Sequence, residues 1–315
     1  MNVIKWGTRS GCQRFKCKDC QCCFTPSRPD VTAANRFVWF RKWISGKQRI
    51  EDIAKESGYS SRQLRRWFDV YLAGPPEWKI QHRKSYHILI DGTWFGDGRC
   101  LIVYRDADSK STIFYRFADD ENEYEIIRDL QAFKSMRLRV SSFTTDGGQD
   151  IIRAIRYVYP NAVRQRCTVH IERECLSWIT QHPRSSAGIR LRRLVCQICH
   201  IHTENDRLYW LRELQRWHDD YEEFIKEQSV NRDTGEITYT HDSIRRAYTH
   251  INRAIPHMFK YISDPSIPRN TNSLESFFGH LKDNLRIHRG LSPEHQENFI
   301  KWYLYFADEK KRKDM

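Results

Sequence analysis

The feature that most constrains this chain is a series of strand-like segments between Tyr86 and Arg166, two of which stop at an acidic, glycine-containing turn. Tyr86–Ile90 is an apolar run ending in Asp91-Gly92-Thr93-Trp94. Cys100–Tyr104 and Thr112–Phe117 are two more β-rich runs, spaced as an antiparallel meander. Glu123–Phe133 has the apolar spacing of an amphipathic helix. Leu138–Phe143 predicts a fourth strand, ending in Thr144-Thr145-Asp146-Gly147-Gly148, and a helix over Ile151–Tyr159 and a short strand over Ala162–Arg166 follow. This order predicts an α/β fold with a mixed sheet.

Three antiparallel strands, a helix, a strand, a helix and a strand is the order of a ribonuclease H-like domain. In that topology the first and fourth strands are neighbours, so Asp91 and Asp146, each ending one of them, are expected to meet at one end of the sheet. Taken singly, each aspartate reads equally well as a turn residue beside glycine. Asp106 and Asp108 follow a strand whose end falls at the opposite edge, and they are read as turn residues. A third acid comes from a helix expected to open just after Pro268. There Leu274, Phe277, Phe278, Leu281 and Leu285 form one apolar face, while Glu275, Gly279, Lys282 and Arg286 share a neighbouring face. Glu275 alone fits a capping box with Asn272 as its N-cap. With Asp91 and Asp146 it completes a set of hard oxygen ligands. Such a set suits two Mg²⁺ ions, with Mn²⁺ as a substitute, that activate a water or a 3′-hydroxyl and stabilise the leaving oxygen.

Charge is unevenly spread. The chain carries a net +13, of which +11 lies in residues 1–85. A basic front on a nearly neutral body points to a polyanion-binding module, and Trp39, Phe40, Trp43, Trp67 and Phe68 within it argue for a folded one. Residues 32–45 form a candidate helix, and Ile50–Phe68 matches a helix-turn-helix. Ala54 is small at the helix crossing, Gly58 suits the turn and Ser60 or Ser61 caps the second helix. Arg62, Gln63, Arg65 and Arg66 are then expected to face outward toward bases and phosphates.

Ten cysteines without a secretion signal suggest metal ligation or packing rather than disulfides. Cys17-Lys18-Asp19-Cys20 has the spacing of one zinc knuckle, with Cys12, Cys22 or Cys23 as further candidate Zn²⁺ ligands. Farther on, 128 residues separate Asp146 from Glu275. Residues 171–260 are almost all helical in pattern, with a stripe of Leu208, Leu211, Leu214, Trp217, Tyr221, Phe224 and Ile225 read as the core of a helical subdomain. Asn231–Glu236 reads as a polar turn. Cys167-Thr168-Val169-His170 is expected to orient this insertion through packing and a hydrogen bond. A metal there needs two more ligands from Cys196, Cys199, His200 or His202.

Ile90-Asp91-Gly92-Thr93-Trp94, Thr144-Thr145-Asp146-Gly147, Gln165-Arg166-Cys167-Thr168-Val169-His170, Thr271-Asn272-Ser273-Leu274-Glu275 and His288-Arg289-Gly290-Leu291-Ser292 together resemble the segments of Mutator-type DDE transposases. More narrowly, they resemble the bacterial insertion-sequence branch that carries an N-terminal zinc ribbon. The resemblance runs from about residue 4 to about residue 306. It departs in the first zinc knuckle, whose expected position would precede Met1. It implies a ribonuclease H-like catalytic domain interrupted by an all-helical insertion, with the triad on Asp91, Asp146 and Glu275. Residues 1–29 would be a partial zinc ribbon, 30–73 the helix-turn-helix, 74–85 a linker, 86–170 the first catalytic part, 171–265 the insertion and 266–315 the second catalytic part. His288 and Arg289, with Lys282 and Arg286, are expected near DNA.

The expected activity is Mg²⁺-dependent cleavage and strand transfer at the terminal inverted repeats of the element. Double-stranded DNA, as transposon ends and as target, is the expected partner, and the working complex is expected to be a homodimer or a higher homo-oligomer. No apolar run is long enough to span a bilayer and no signal-peptide core is present, so a cytoplasmic, nucleoid-associated protein without a membrane partner is expected. Three other readings are a ribonuclease H-like nuclease, which would cut without joining, a DNA-binding regulator derived from a transposase, which would not cut, and a zinc-dependent hydrolase using the Cys/His cluster, which would lose activity to a zinc chelator but not to loss of Asp91.

Overall fold

The computed structural model describes residues 2–9, 12–25, 29–78, 80, 83–96, 98–119, 122–230 and 235–313. The chain divides into two compact units, residues 1–77 with 281–307 and residues 78–280 with 308–315.

The first unit opens with a three-stranded antiparallel sheet of β1 (Val3–Arg9), β2 (Cys12–Cys17) and β3 (Cys23–Phe24). Three helices follow, α1 (Pro29–Ser45), α2 (Ile50–Ser57) and α3 (Ser61–Leu72). Gly58 adopts a left-handed φ of 73° and closes α2, a conformation that side-chain-bearing residues adopt only at a cost. The Ser60 side chain then accepts from the Gln63 N–H and caps α3. Ile53, Leu64, Phe68 and Leu72 are buried, and Arg62, Gln63, Arg65 and Arg66 are exposed on the other side of α3, as their spacing predicts.

The second unit is built on a five-stranded mixed sheet in the order β6-β5-β4-β7-β8. Its strands are β4 (Tyr86–Trp94), β5 (Cys100–Asp106), β6 (Thr112–Ala118), β7 (Val140–Thr145) and β8 (Val163–Arg166). The meander β4–β5–β6 is antiparallel, whereas β7 pairs parallel with β4 and β8 parallel with β7. Between them run α4 (Glu123–Ser135) and α5 (Gln149–Val158), whose Ile126, Leu130, Phe133, Ile151, Ala154, Ile155 and Val158 share a core with Ile88, Ile90, Ile102, Tyr104 and Phe143. Asp129 of α4, fully buried, pairs with Arg116 and accepts from the Tyr104 hydroxyl at 3.0 Å, so its charge is matched inside that core.

The stretch after β8 is helical: α6 (Thr168–Trp178), α7 (Ser186–Gln197), α8 (Glu204–Lys226), α9 (Asp242–Met258) and the short α10 (Lys260–Ser263). Its core contains Ile171, Leu191, Val195, Leu214, Trp217, Ala247, Ile251 and Met258. The stripe expected on α8 holds from Leu211 to Ile225 but misses Trp210. That indole is 1% exposed and donates to the Leu194 carbonyl at 2.9 Å, while Leu208 is 40% exposed. This stretch, expected to be an all-helical insertion, is not all helical: β9 (Gln228–Val230) and β10 (Ile237–Tyr239) pair antiparallel. Val230, Ile237, Thr238 and Tyr239 have the β-branched and aromatic side chains that favour strands. The polar turn read over 231–236 falls mostly outside the described residues.

Two last helices, α11 (Asn272–Ile287) and α12 (Pro293–Lys313), each divide between the units. Leu274, Phe277 and Phe278 are buried in the second unit. From Leu281 to Ala307 the chain belongs to the first unit, not to the catalytic part to which the sequence reading assigned it. There Phe299 and Phe306 join Phe40, Trp43, Ile44 and Phe68 in one aromatic core. The amides of Asn284 and Asn298 donate to the carbonyls of Ile44 and Leu72, both at 2.8 Å, and the Trp302 indole donates to that of Tyr71 at 3.0 Å. Helix ends whose last carbonyls lack intrahelical partners are thereby satisfied.

Candidate active site

Strand register decides where the first two acids lie. β4 pairs with β7 through Ile88↔Phe143 and Leu89↔Thr144, where the parallel ladder stops. Asp91 and Asp146 each lie two residues beyond that last pair. Asp91 does not end its strand as expected, because β4 continues to Trp94 on its antiparallel side, opposite Cys100 of β5. Asp106 pairs with Ile88, toward the other end of β4, and is neutralised by Arg83.

Asp91 is 9% exposed and accepts from the Gly92 N–H at 3.0 Å. Asp146 is half-buried and accepts from the Gly148 N–H at 2.9 Å. Burial pushes the Asp91 carboxyl up to about 7; the His170 charge opposes the rise, and the carboxylates of Asp146 and Glu275 add to it. Such crowding favours either a proton or a cation.

Glu275 lies in the first turn of α11, where its N–H and that of Leu274 donate to the Thr271 carbonyl at 3.2 and 2.8 Å. Asn272 is the first helical residue, and its N–H donates to the Asn270 side chain at 3.2 Å, which sets aside the capping-box reading. The Glu275 carboxylate pairs with Arg173 and lies 3.5 Å from the His170 ring, and its buried Oε1 has no hydrogen-bond partner.

Four contacts fix the start of this helix against the sheet and α6. Thr144 Oγ1 donates to the Pro268 carbonyl at 2.7 Å, and the Thr168 N–H donates to the Arg269 carbonyl at 3.0 Å. Arg105 donates to the Ser273 carbonyl at 3.2 Å with its guanidinium over the Phe277 ring. The Thr271 N–H and hydroxyl donate to the Cys167 sulfur at 3.4 and 3.5 Å. Cys167 and His170 therefore orient the Glu275 helix as well as α6. Burial opposes ionisation of the Cys167 thiol, yet the hydrogen bond and charge of His170 bring it below its ordinary value. The same hydrogen bond raises His170 to about 9 against burial.

Arg166 completes the other flank. Its guanidinium donates to the Asp146 carbonyl at 3.1 Å and lies 3.3 Å from His250 Nε2. Burial, with the charges of Arg166 and Arg253, pushes His250 down to about 4, and its Nε2 also lies 3.0 Å from the Glu174 carboxylate. Gly147, at φ 97°, leaves this guanidinium its place: a Cβ there would lie 2.1 Å from Arg166 Nε. A cleft of about 430 Å³ opens beside Asp146, lined by Arg166, His170, His250, Arg253 and His257. Arg105, Arg173 and His250 were not singled out from the sequence. Only Arg173, one helical turn after His170, had a local signal.

Among the described residues, no group of three or more His, Cys, Asp or Glu is gathered closely enough to hold a metal ion as the side chains stand. For the acids the donor chemistry still fits a divalent cation. Asp91 is raised partly by its acidic neighbours, Glu275 Oε1 has no hydrogen bond and only the His170 ring at 3.5 Å, and Arg173 occupies the other Glu275 oxygen. For zinc the fit fails: Cys12, Cys20 and Cys22 are exposed and Cys17 half-buried, without converging. Cys196 is likewise exposed, and Cys199 is engaged with Thr168 at 3.9 Å.

The residues expected at DNA separate. Lys282, Arg286, His288 and Arg289 belong to the first unit with Arg62, Gln63, Arg65 and Arg66. Arg286 and Arg289 are exposed and Lys282 half-buried. His288 is not a surface residue: it is 8% exposed, packed against Trp43 and Phe299.

The sheet and its acidic end define an α/β protein with a cluster of carboxylates where two parallel strands stop. Residues 109–246 match the family model described as Transposase, Mutator family. No curated protein matches it. Among solved structures, one match is a chain of the simian T-cell lymphotropic virus intasome in complex with a PP2A regulatory subunit. It is 13% identical over 63% of this chain and 70% of that one, and a TM-score of 0.21 carries no argument. Among the described residues, no helix is long and apolar enough to cross a membrane.

Proposed function

We propose that the chain is a DDE-type DNA transposase of ribonuclease H-like fold, with a helical insertion between its second and third acids. The observation that carries this reading is the β4–β7 register. It sets Asp91 and Asp146 at equal distance past one ladder pair, with Asp91 responding to both Asp146 and Glu275. The Mutator-family match is the independent support.

In this reading Asp91, Asp146 and Glu275 hold divalent cations, Mg²⁺ with Mn²⁺ as a substitute. When bound, these supply an activated water or 3′-hydroxyl and charge stabilisation at the leaving oxygen. Glu275 would meet a bound cation with the carboxylate it now pairs to Arg173, and that guanidinium would then be available to a phosphate. Arg166 and Arg253 line the cleft beside Asp146 and hold the strand that flanks the scissile phosphate. Cys167 and His170 keep the Glu275 helix in register with the sheet.

Arg62, Gln63, Arg65 and Arg66, exposed on α3, read the terminal inverted repeats, and one active site per DNA end makes the working complex a dimer or a larger oligomer. The protein acts where its DNA lies, at the nucleoid. The test is Glu275→Gln in a strand-transfer assay with an end-containing duplex and Mg²⁺. Joining should be lost while end binding persists. Joining at the wild-type rate would refute the assignment, and cleavage without joining by the wild type would favour a nuclease.

A further inference from the structure

The edge strand of the main sheet, β8, lies among cations that no acid offsets. Arg164 and Arg166, two residues apart, leave the strand on one face. There they line a small cavity with Ile152 and Ile155 of α5 and His257 of α9. Arg166 and His257 also line the cleft beside Asp146, together with Arg253, so the cavity and the cleft adjoin.

Two more cations border the same place. Arg156 follows Ile155 and lies one turn beyond Ile152 on α5. Lys260 opens α10, and its N–H donates to the Gln165 side chain at 2.9 Å, which ties it to β8. Burial, then the charges of Arg164, Lys260, Arg156 and Arg166, holds the His257 ring below its ordinary value, so these charges converge on one point.

Arg156, Arg253 and Lys260 are exposed and Arg164 is half-buried. Among the described residues, none of these side chains is paired with an acid. Arg153, nearby on α5, shows the contrast, because Glu123 and Asp150 both hold it. Of the acids at the adjoining cleft, Glu174 lies 3.0 Å from His250 and Asp146 belongs to the carboxylate cluster. Like charges gathered this way repel one another, and a polyanion with closely spaced charges offsets them most fully. A DNA duplex is such a polyanion, with one phosphate per ~1.7 Å of its axis. Gln165, the amide of β8, is buried and engaged with the Met258 carbonyl and the Lys260 N–H, so it does not read bases. Contacts from Arg and Lys to phosphates position DNA but carry no sequence information.

We propose that Arg156, Arg164 and Lys260, beside His257, grip the phosphate backbone of a DNA duplex without regard to its sequence. The choice of polyanion rests on the reading of the chain as a transposase, in which the sequence-independent duplex is the target. Helix α3, with its outward arginines, belongs to the other unit.

The test uses the full-length protein without added metal and a labelled duplex of arbitrary sequence that lacks the ends of the element. Fluorescence anisotropy follows binding from about 50 to 200 mM salt. Changing Arg156, Arg164 and Lys260 together to Gln should flatten the plot of log affinity against log salt by about 2–3, since each phosphate contact contributes about 0.9. Arg156→Gln with Lys260→Gln, confined to exposed side chains, should flatten it by about 1–2, so the test stands if Arg164→Gln disturbs the fold. Arg192→Gln, Arg193→Gln and Arg212→Gln together make the same charge change on α7 and α8 and should leave the slope as it is. An unchanged slope in a folded patch variant, or an equal flattening in the control, would overturn the proposal. The assay contains neither metal nor element ends, so its failure and a failure of the Glu275→Gln test are read in separate reactions.

Discussion

The Thr144 hydroxyl donates to the Pro268 carbonyl at 2.7 Å, and this bond ties the strand that leads to Asp146 to the segment that leads to Glu275. Thr144 is fully buried. Thr144→Val keeps the shape but leaves that carbonyl unsatisfied, a loss of about 1–3 kcal/mol. Urea denaturation should show the lower midpoint with an unchanged slope, and Thr144→Ser should restore most of it. If valine is as stable as threonine, the bond does not contribute as argued.

Gly147 and Arg166 predict a second effect. Gly147 combines a positive φ with a position where an added Cβ would meet the Arg166 guanidinium. Gly147→Ala should therefore cost about 1–3 kcal/mol in backbone strain alone and displace Arg166 from the Asp146 carbonyl. Arg166→Ala, combined with it, should cost less than the two changes added together, because the smaller side chain removes the clash. A double-mutant cycle by thermal melting checks this, and strict additivity would show that the two residues do not compete for space.

These two relationships also show what the sequence could and could not reveal. Alternating apolar runs were enough to find every strand of the main sheet, and strand order alone brought Asp91 next to Asp146, because parallel neighbours end at a common edge. Helical spacing placed Leu274, Phe277 and Phe278 inward and left Glu275 on a flank. Contacts between distant segments had no such signal: nothing local to Thr144 points to Pro268, 124 residues on, or turns Arg105 toward Ser273. The stripe on α8 took in the exposed Leu208 and missed the buried Trp210, although Trp210 lies four residues before Leu214 and seven before Trp217, on the same helical face. His288 looked like a DNA contact because it adjoins Arg289. Only the packing of Trp43 and Phe299 shows it to be internal.

Arg173 competes with any cation for Glu275. The guanidinium is 60% exposed, so solvent screens the pair and it is worth about 0.2–1 kcal/mol. Arg173→Ala should therefore tighten Mg²⁺ binding by the protein alone by only about two- to fivefold. Titration calorimetry with MgCl₂ measures this without DNA. Weaker binding in the variant would mean that Arg173 organises Glu275 for the metal instead of occupying it.

His288 sets a pH dependence of stability. Its folded value, about 4, lies below the ordinary 6.5. Between those values the unfolded chain binds a proton that the native ring excludes, so stability is fully present above about pH 6.5 and falls as the pH drops toward 4. The whole loss is on the order of 3 kcal/mol. His250, also near 4, acts in the same direction within the second unit. From pH 6.5 to about 5 most carboxylates stay ionised, and the Asp91 carboxyl, raised to about 7, opposes the fall alike in wild type and variant. Urea midpoints across that interval should fall for the wild type and fall less steeply for His288→Phe. Parallel slopes in the two proteins would mean that the His288 ring takes up its proton inside the folded structure as readily as in the open chain. Its packing between Trp43 and Phe299 would then have no effect on its charge.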